Sequence, residues 1–268
     1  MPTAPYRLGL VRLTLEPGAA MPELFSGGPV LLLVESGALM VRVDGPATIH
    51  RSGGDGGAER EETAAGEFML ASGDRLALAA DTGYELRTLG NETAVVLSAA
   101  ALAGDGGMTN RWVRARTLDE VLFTAMAPES VARANEPTAW PLGVRGALLA
   151  DGVITANPPT AATLGLARLT LQPHAALPIH HVRGAEVLAV EAGTAIVDVI
   201  GGDGAMLPRP DAILASIWPH GGSSARDPRI VSGGGAVLQP GASVGVRNLG
   251  DGPLVLLILT LEPEPAPR

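Results

Sequence analysis

A gapless internal repeat sets the strongest limit on how this chain can fold. Residues 8–43 read LGLVRLTLEPGAAMPELFSGGPVLLLVESGALMVRV, and residues 164–199 read LGLARLTLQPHAALPIHHVRGAEVLAVEAGTAIVDV. About half the positions are identical, including Arg12 and Arg168, Pro17 and Pro173, Pro22 and Pro178, Glu35 and Glu191, and Gly37 and Gly193. A second pair of blocks, LRTLGNETAVVL from Leu86 and VRNLGDGPLVLL from Val246, follows with four more residues of spacing in the later copy. A length of 268 residues holds two domains of ordinary size. The expectation is a duplicated domain.

Each copy opens with alternating apolar residues that stop at a proline turn, which is the pattern of a half-buried strand. A second apolar strand follows (Val30–Val34, Val187–Val190), then a tight turn at Ser36-Gly37 or Ala192-Gly193, then a returning strand (Leu39–Val43, Ala195–Val199). Two strands joined through glycine read as a hairpin. Glycine-rich inserts come next, His50–Gly57 in the first copy and roughly Gly201–Gly235 in the second. No helical pattern follows either one, so hairpin tips are expected rather than phosphate cradles. Leu254–Leu261 is apolar on both faces and is expected to be almost wholly buried. With 35 glycines and 22 prolines, the whole reads as an all-β chain of short strands.

Between the copies, Thr117 to Glu120 forms a capping box that should open a short helix ended by Pro128. Pro137 and Pro141 flank Trp140 in an extended linker, and Val144–Ile154 suggests a hairpin around Asp151-Gly152. Composition removes several classes of function. The chain has no cysteine and no lysine, which excludes disulfides, thiolate chemistry, Schiff-base lysines and a P-loop lysine. A net charge of −9 and 3% aromatic residues argue against nucleic acid as a partner. No apolar run is long enough to span a bilayer, and the N-terminus lacks the basic start and apolar block of a signal peptide, so no membrane partner and a cytoplasmic location are expected.

Leu171–Gly193, LQPHAALPIHHVRGAEVLAVEAG, carries a family resemblance. A proline turn precedes histidines, Glu186 follows, and an apolar strand ends at Gly193 with six residues between the two. This resembles the first motif of the cupin superfamily, and the duplication resembles its two-domain members, the bicupins. The resemblance implies two tandem antiparallel jelly-roll (cupin) barrels with a short helical linker: a barrel at 1–105, the linker at 106–140 and a second barrel at 141–268. It also implies a divalent metal on three histidines and a glutamate in active members. The four corresponding positions of the second copy hold Ile179, His181, Glu186 and Val244, so two ligand types remain. His180 would face outward unless a bulge intervenes. His174 in the preceding turn and His220 in the insert are the candidates to complete a site for zinc, nickel, manganese or iron. The first copy holds Glu23, Phe25, Val30 and Tyr84 there, so Phe25 and Tyr84 are expected to line an apolar pocket or to plug it.

The functional expectation is a bicupin of non-catalytic or weakly metal-binding type that binds a small molecule or acts as a structural or sensing module. The alternative is a metal-dependent cupin enzyme (dioxygenase, decarboxylase or isomerase) that uses the second barrel alone. Self-association into a homodimer through an exposed sheet is compatible with either.

Overall fold

The computed structural model describes residues 5–25, 27–53, 60–103, 142–158, 161–207 and 229–264. Every regular element among them is a β-strand, as the alternating pattern predicts. The first copy contains β1 (Tyr6–Leu15), β2 (Ala20–Phe25), β3 (Val30–Ser36), β4 (Ala38–Arg51), β5 (Arg60–Ala71), β6 (Arg75–Leu78), β7 (Gly83–Thr88) and β8 (Ala94–Ala103). Then comes β9 (Val144–Ile154). The second copy contains β10 (Ala162–Leu171), β11 (Ala176–His181), β12 (Ala185–Ala192), β13 (Thr194–Val199), β14 (Gly204–Leu207), β15 (Arg229–Val231), β16 (Gly235–Leu238), β17 (Ser243–Asn248) and β18 (Leu254–Pro263). None of the described elements is a helix long and apolar enough to cross a membrane. The helix expected from Thr117 lies outside the described residues, as does His220.

The chain divides into two compact units. One is Val11–Leu102 with Gly106–Ala147, and the other is Met1–Leu10 with Ala103–Asp105 and Leu148–Arg268. The first half of β1 belongs to the unit that contains the second copy.

The repeat is a repeat of structure. Strand β3 pairs with β8 from Val30↔Ala100 to Val34↔Val96, with a shift before Ser36↔Val95. Strand β12 pairs with β18 from Glu186↔Thr260 to Val190↔Leu256, with a shift before Ala192↔Val255. Gly28 and Gly184 show why one small residue is retained in both. A Cβ there would lie 1.7 Å from the Ala101 carbonyl oxygen in one copy and 1.9 Å from that of Leu261 in the other. No side chain fits such an approach.

The copies differ in how their sheets join. The first forms one nine-stranded sheet in the order β2-β7-β4-β6-β3-β8-β1-β9, with β5 on β4. Strand β4 makes this continuity, pairing with β7 over Leu39–Asp44 and with β6 over Thr48–His50. The expected loop at His50 is therefore strand up to Arg51. In the second copy the corresponding strand breaks at Gly201 and Gly202, both with positive φ, and two sheets result: β10-β18-β12-β16-β14 and β11-β17-β13-β15.

The core of the second copy includes Leu188, Val190, Val197, Leu238, Val244, Val246, Leu254 and Leu256. Each fully buried aliphatic side chain contributes about 1.5–3 kcal/mol. Strand β18 is buried on both faces as expected: Leu254, Leu256, Leu257, Leu259 and Leu261 are all fully covered. Strand β9 corrects the sequence reading. Val144–Ile154 is one unbroken strand rather than a hairpin at Asp151-Gly152. Gly152 is there for space, since a Cβ would fall 2.0 Å from Val237, and Asp151 accepts hydrogen bonds from the Arg7 guanidinium.

Candidate functional site

The candidate site is set by a one-residue irregularity. In the pairing of β11 with β17, Leu177 stands opposite Val246 and His180 opposite Val244. Three steps on one strand match two on the other, which is a β-bulge. The bulge contains Pro178, whose missing N–H suits a position outside the ladder. Past an extra residue the two faces of a strand exchange. Leu177 and His180 therefore share the partly buried face, whereas Ile179 is 62% exposed and His181 is exposed. This reverses the expected orientation, in which Ile179 and His181 point inward and His180 outward.

His180 is accordingly the histidine that reaches Glu186. Its Nε2 lies 3.5 Å from Glu186 Oε2, and its Nδ1 lies 3.4 Å from the Pro178 carbonyl oxygen. A short charge-assisted bond would measure about 2.7–2.9 Å, so this contact is loose. The Glu186 side chain is 7% exposed and that of His180 is 37% exposed. Glu186 Oε1 is buried and, among the described residues, has no hydrogen-bond partner. Burial pushes the Glu186 carboxyl above its ordinary range, His180 opposes that shift, and Glu262 adds to it. On the flanking strands, Glu186 pairs with Leu238 and Thr260. Val244, opposite His180, is fully buried and belongs to the apolar core.

The other expected residues are placed as follows. His174 is exposed at the tip of the β10–β11 turn with φ 60°, where the first copy has Gly18 with φ 74°. Among the described residues, no three histidine, aspartate or glutamate side chains come close enough together to hold a metal ion. His174 therefore does not complete a three-donor site. Phe25 ends β2 with its backbone opposite Gly83, and its side chain lies outside the described residues. Tyr84 pairs with Leu24, and both are buried. Strand β2 carries the same irregularity, between Met21 and Leu24. Leu24, Val30 and Tyr84 thus occupy in the first copy the places of His180, Glu186 and Val244. All three are at most 2% exposed, so this part of the first copy is core.

The scaffold around the pair is also duplicated. Asn248 Nδ2 donates to the carbonyls of Leu171, Gln172 and Gly252, fixing the turn that leads into β11. Thr88 does the same work in the first copy, donating from Oγ1 to the Glu16 and Ala19 carbonyls. Arg12 binds Glu35 through two nitrogens at 2.5 and 3.0 Å, and Arg168 binds Glu191 at 2.8 and 3.2 Å.

The sequence signal that marks His180 is the proline within β11. A proline inside a strand calls for an edge or a bulge, and the spacing of ligand positions alone does not register it.

Neither the protein-family models nor the curated proteins contain a match to this chain. Solved structures do match. The oxalate decarboxylase of Lactobacillus farciminis, solved as a formate complex, is 16% identical with a TM-score of 0.50, and the match covers 96% of this chain and 78% of that one. The coconut allergen cocosin is 14% identical with a TM-score of 0.50, covering 95% of this chain and 77% of its own. One of these is a decarboxylase and the other an allergen, and at these identities what the likeness shows is the fold. The fold of this chain is like that of these two proteins.

Proposed function

We propose that this chain is a non-catalytic bicupin, two tandem jelly-roll barrels of which the second binds a small molecule at His180 and Glu186. The observation that carries this reading is the Glu186 carboxyl, buried with one oxygen unpartnered beside a half-exposed imidazole. Leaving a buried acceptor unsatisfied costs about 1–3 kcal/mol, which a ligand with a hydrogen-bond donor would relieve. The apolar residues nearby, Leu238 and Val244 among them, suit a ligand with a nonpolar body. The first copy, with Leu24, Val30 and Tyr84 at the same places, has a structural role.

A metal-dependent reading of the same unit draws on the 3.5 Å separation of His180 Nε2 and Glu186 Oε2. Two donors each about 2.1 Å from one tetrahedral ion would be about that far apart. The described residues thus supply one imidazole and one carboxylate, half of the ligand set that the family resemblance implies. His180 and Glu186 would hold a zinc, nickel, manganese or iron ion weakly, and the ion would supply Lewis acidity.

Native mass spectrometry of the purified chain separates the two readings. A retained organic molecule, lost in His180→Ala and Glu186→Gln, supports the binding module. About one metal per chain, lost in the same variants and accompanied by turnover, replaces it with the enzyme. A chain that retains nothing, and whose melting point is unmoved by zinc, nickel, manganese or iron salts or by a library of small amines and alcohols, overturns both.

A further inference from the structure

The side chains beside His180 and Glu186 point to the class of ligand that their site takes, an inference that rests on the small-molecule reading of that site. Glu186 shares a face of β12 with Leu188 and Val190, which belong to the core of the second copy, so its side chain turns toward that core. Opposite it on β18 stands Thr260, and two residues further along the same face is Glu262. Thr260 is half-buried and Glu262 is exposed, so the three residues run from the interior of this unit to its surface.

The first copy has the same pairing with different side chains. Val30 stands opposite Ala100, and Leu102 follows on the same face of β8. All three are buried, as is Leu24 at the place of His180. Four apolar side chains in one copy thus correspond to an imidazole, a hydroxyl and two carboxylates in the other. The backbone register is kept, so the exchange alters the chemistry of the place and not its layout.

The charge balance selects the ligand. Burial is the largest influence on the Glu186 carboxyl; of the charges that act on it, His180 favours the ionised form and Glu262 disfavours it. The two carboxylates therefore feel one another, and one imidazole does not neutralise both. Glu186 Oε1, in a side chain only 7% exposed, has no hydrogen-bond partner among the described residues. A buried carboxylate oxygen is matched by an N–H or O–H donor, and the Thr260 hydroxyl can accept a second bond. A single metal ion fits this set poorly. Glu262 is diagonal to Glu186 across the strands, about 7–8 Å away at the backbone, and no three histidine, aspartate or glutamate side chains among the described residues are grouped closely enough to hold an ion. An ammonium group carries three N–H donors on one positive charge, and a short carbon chain attached to it would lie against Leu238, which pairs with Glu186 from β16.

We propose that the second copy binds a small organic cation through a primary ammonium group, which donates to Glu186 Oε1 and to the Thr260 hydroxyl while Glu262 supplies a second carboxylate. Isothermal titration calorimetry of the full chain with n-butylammonium chloride and with n-butanol, each up to about 10 mM, tests this. The ammonium should bind at least about tenfold more tightly than the alcohol. Glu186→Gln keeps the shape of the side chain and should abolish ammonium binding. Glu262→Gln, at an exposed position that spares folding, should weaken it about two- to fivefold and leave the alcohol unaffected. Glu92→Gln removes the same charge from an exposed turn of the first copy and should change neither.

Butanol binding as tightly as butylammonium overturns the proposal and leaves the small-molecule reading standing. Equal losses from Glu262→Gln and Glu92→Gln also overturn it, because the cation would then be drawn by the net charge of the whole chain. So does a chain to which butylammonium does not bind, or one whose ammonium binding survives Glu186→Gln.

Discussion

Two halves with the same strand order and the same two bulges use their interiors differently. At the bulge in the first half, Leu24, Val30 and Tyr84 close the space as core. At the bulge in the second half, His180 and Glu186 put an imidazole beside a buried carboxyl. The backbone device is common to both, and the side chains on it decide whether the place is apolar core or holds a polar pair. The edges differ in parallel, since among the described residues β1 is paired on both sides and β10 on one. One half of a duplicated chain can fill with apolar side chains the place where the other carries a polar pair.

The edge contrast should give the largest effects. Leu10→Ala, at a fully buried position, is expected to cost about 2–5 kcal/mol. Leu166→Ala, its half-buried counterpart, should cost less than half as much. Urea unfolding of the two variants checks this, and equal losses would mean the two edges are equally covered.

Turning the second site into the first comes next. The double variant His180→Leu/Glu186→Val should raise stability by about 1–4 kcal/mol at neutral pH, since it replaces a loosely paired buried charge with apolar groups that the first copy already packs. The pH dependence has a definite sign. Burial raises the Glu186 carboxyl above its value in the unfolded chain, 4.5, so the folded form holds the proton to higher pH. That group costs nothing at low pH and lowers stability as pH rises through and above 4.5. The advantage of Glu186→Val over wild type should therefore shrink toward zero as pH is lowered below that point. A gain that grows on acidification would mean that the carboxyl is instead held ionised by His180.

The turns differ reciprocally and more mildly. His174 adopts φ 60° where the first copy has Gly18, and Asp81 adopts φ 61° where the second has Gly241. His174→Gly and Asp81→Gly should each stabilise by about 0.5–1 kcal/mol, because a left-handed conformation costs a residue with a Cβ more than it costs glycine. Thermal melts of the two variants should move upward together. The smallest effect belongs to the duplicated ion pairs. Arg12→Ala should cost slightly more than Arg168→Ala, within about 1 kcal/mol, since the Arg12 side chain is 27% exposed and that of Arg168 is 42% exposed. A double-mutant cycle with Glu35 and Glu191 measures each pair directly.

The duplication and its strands could be read from the sequence because a repeated period-two pattern states its own register. Leu8, Leu13 and Leu32 are core because they alternate correctly. The candidate site could be read only in part. Glu186 lies on a regular strand, and its direction followed from counting. The histidines lie on β11 beyond an extra residue, and past a bulge parity counting assigns each side chain to the wrong face. Strand β9 was misread for a related reason. Asp-Gly is a strong turn signal in isolation, but here Asp151 is held by Arg7 and Gly152 by the approach of Val237, neither of which is near in sequence.

The Arg7–Asp151 pair bears on how this molecule can be taken apart. Asp151 is almost completely enclosed, and burial raises its carboxyl pKa while Arg7 opposes the shift. A gene fragment coding only for the second repeat would leave that acid without its counterion and would also lack residues 6–10, the first half of β1. Cutting between the two repeats would therefore part Arg7 from Asp151 and residues 6–10 from the unit they belong with. The boundaries of the sequence repeat are thus not those of the compact units, and protein engineering that respects only the repeat would cut through one of them.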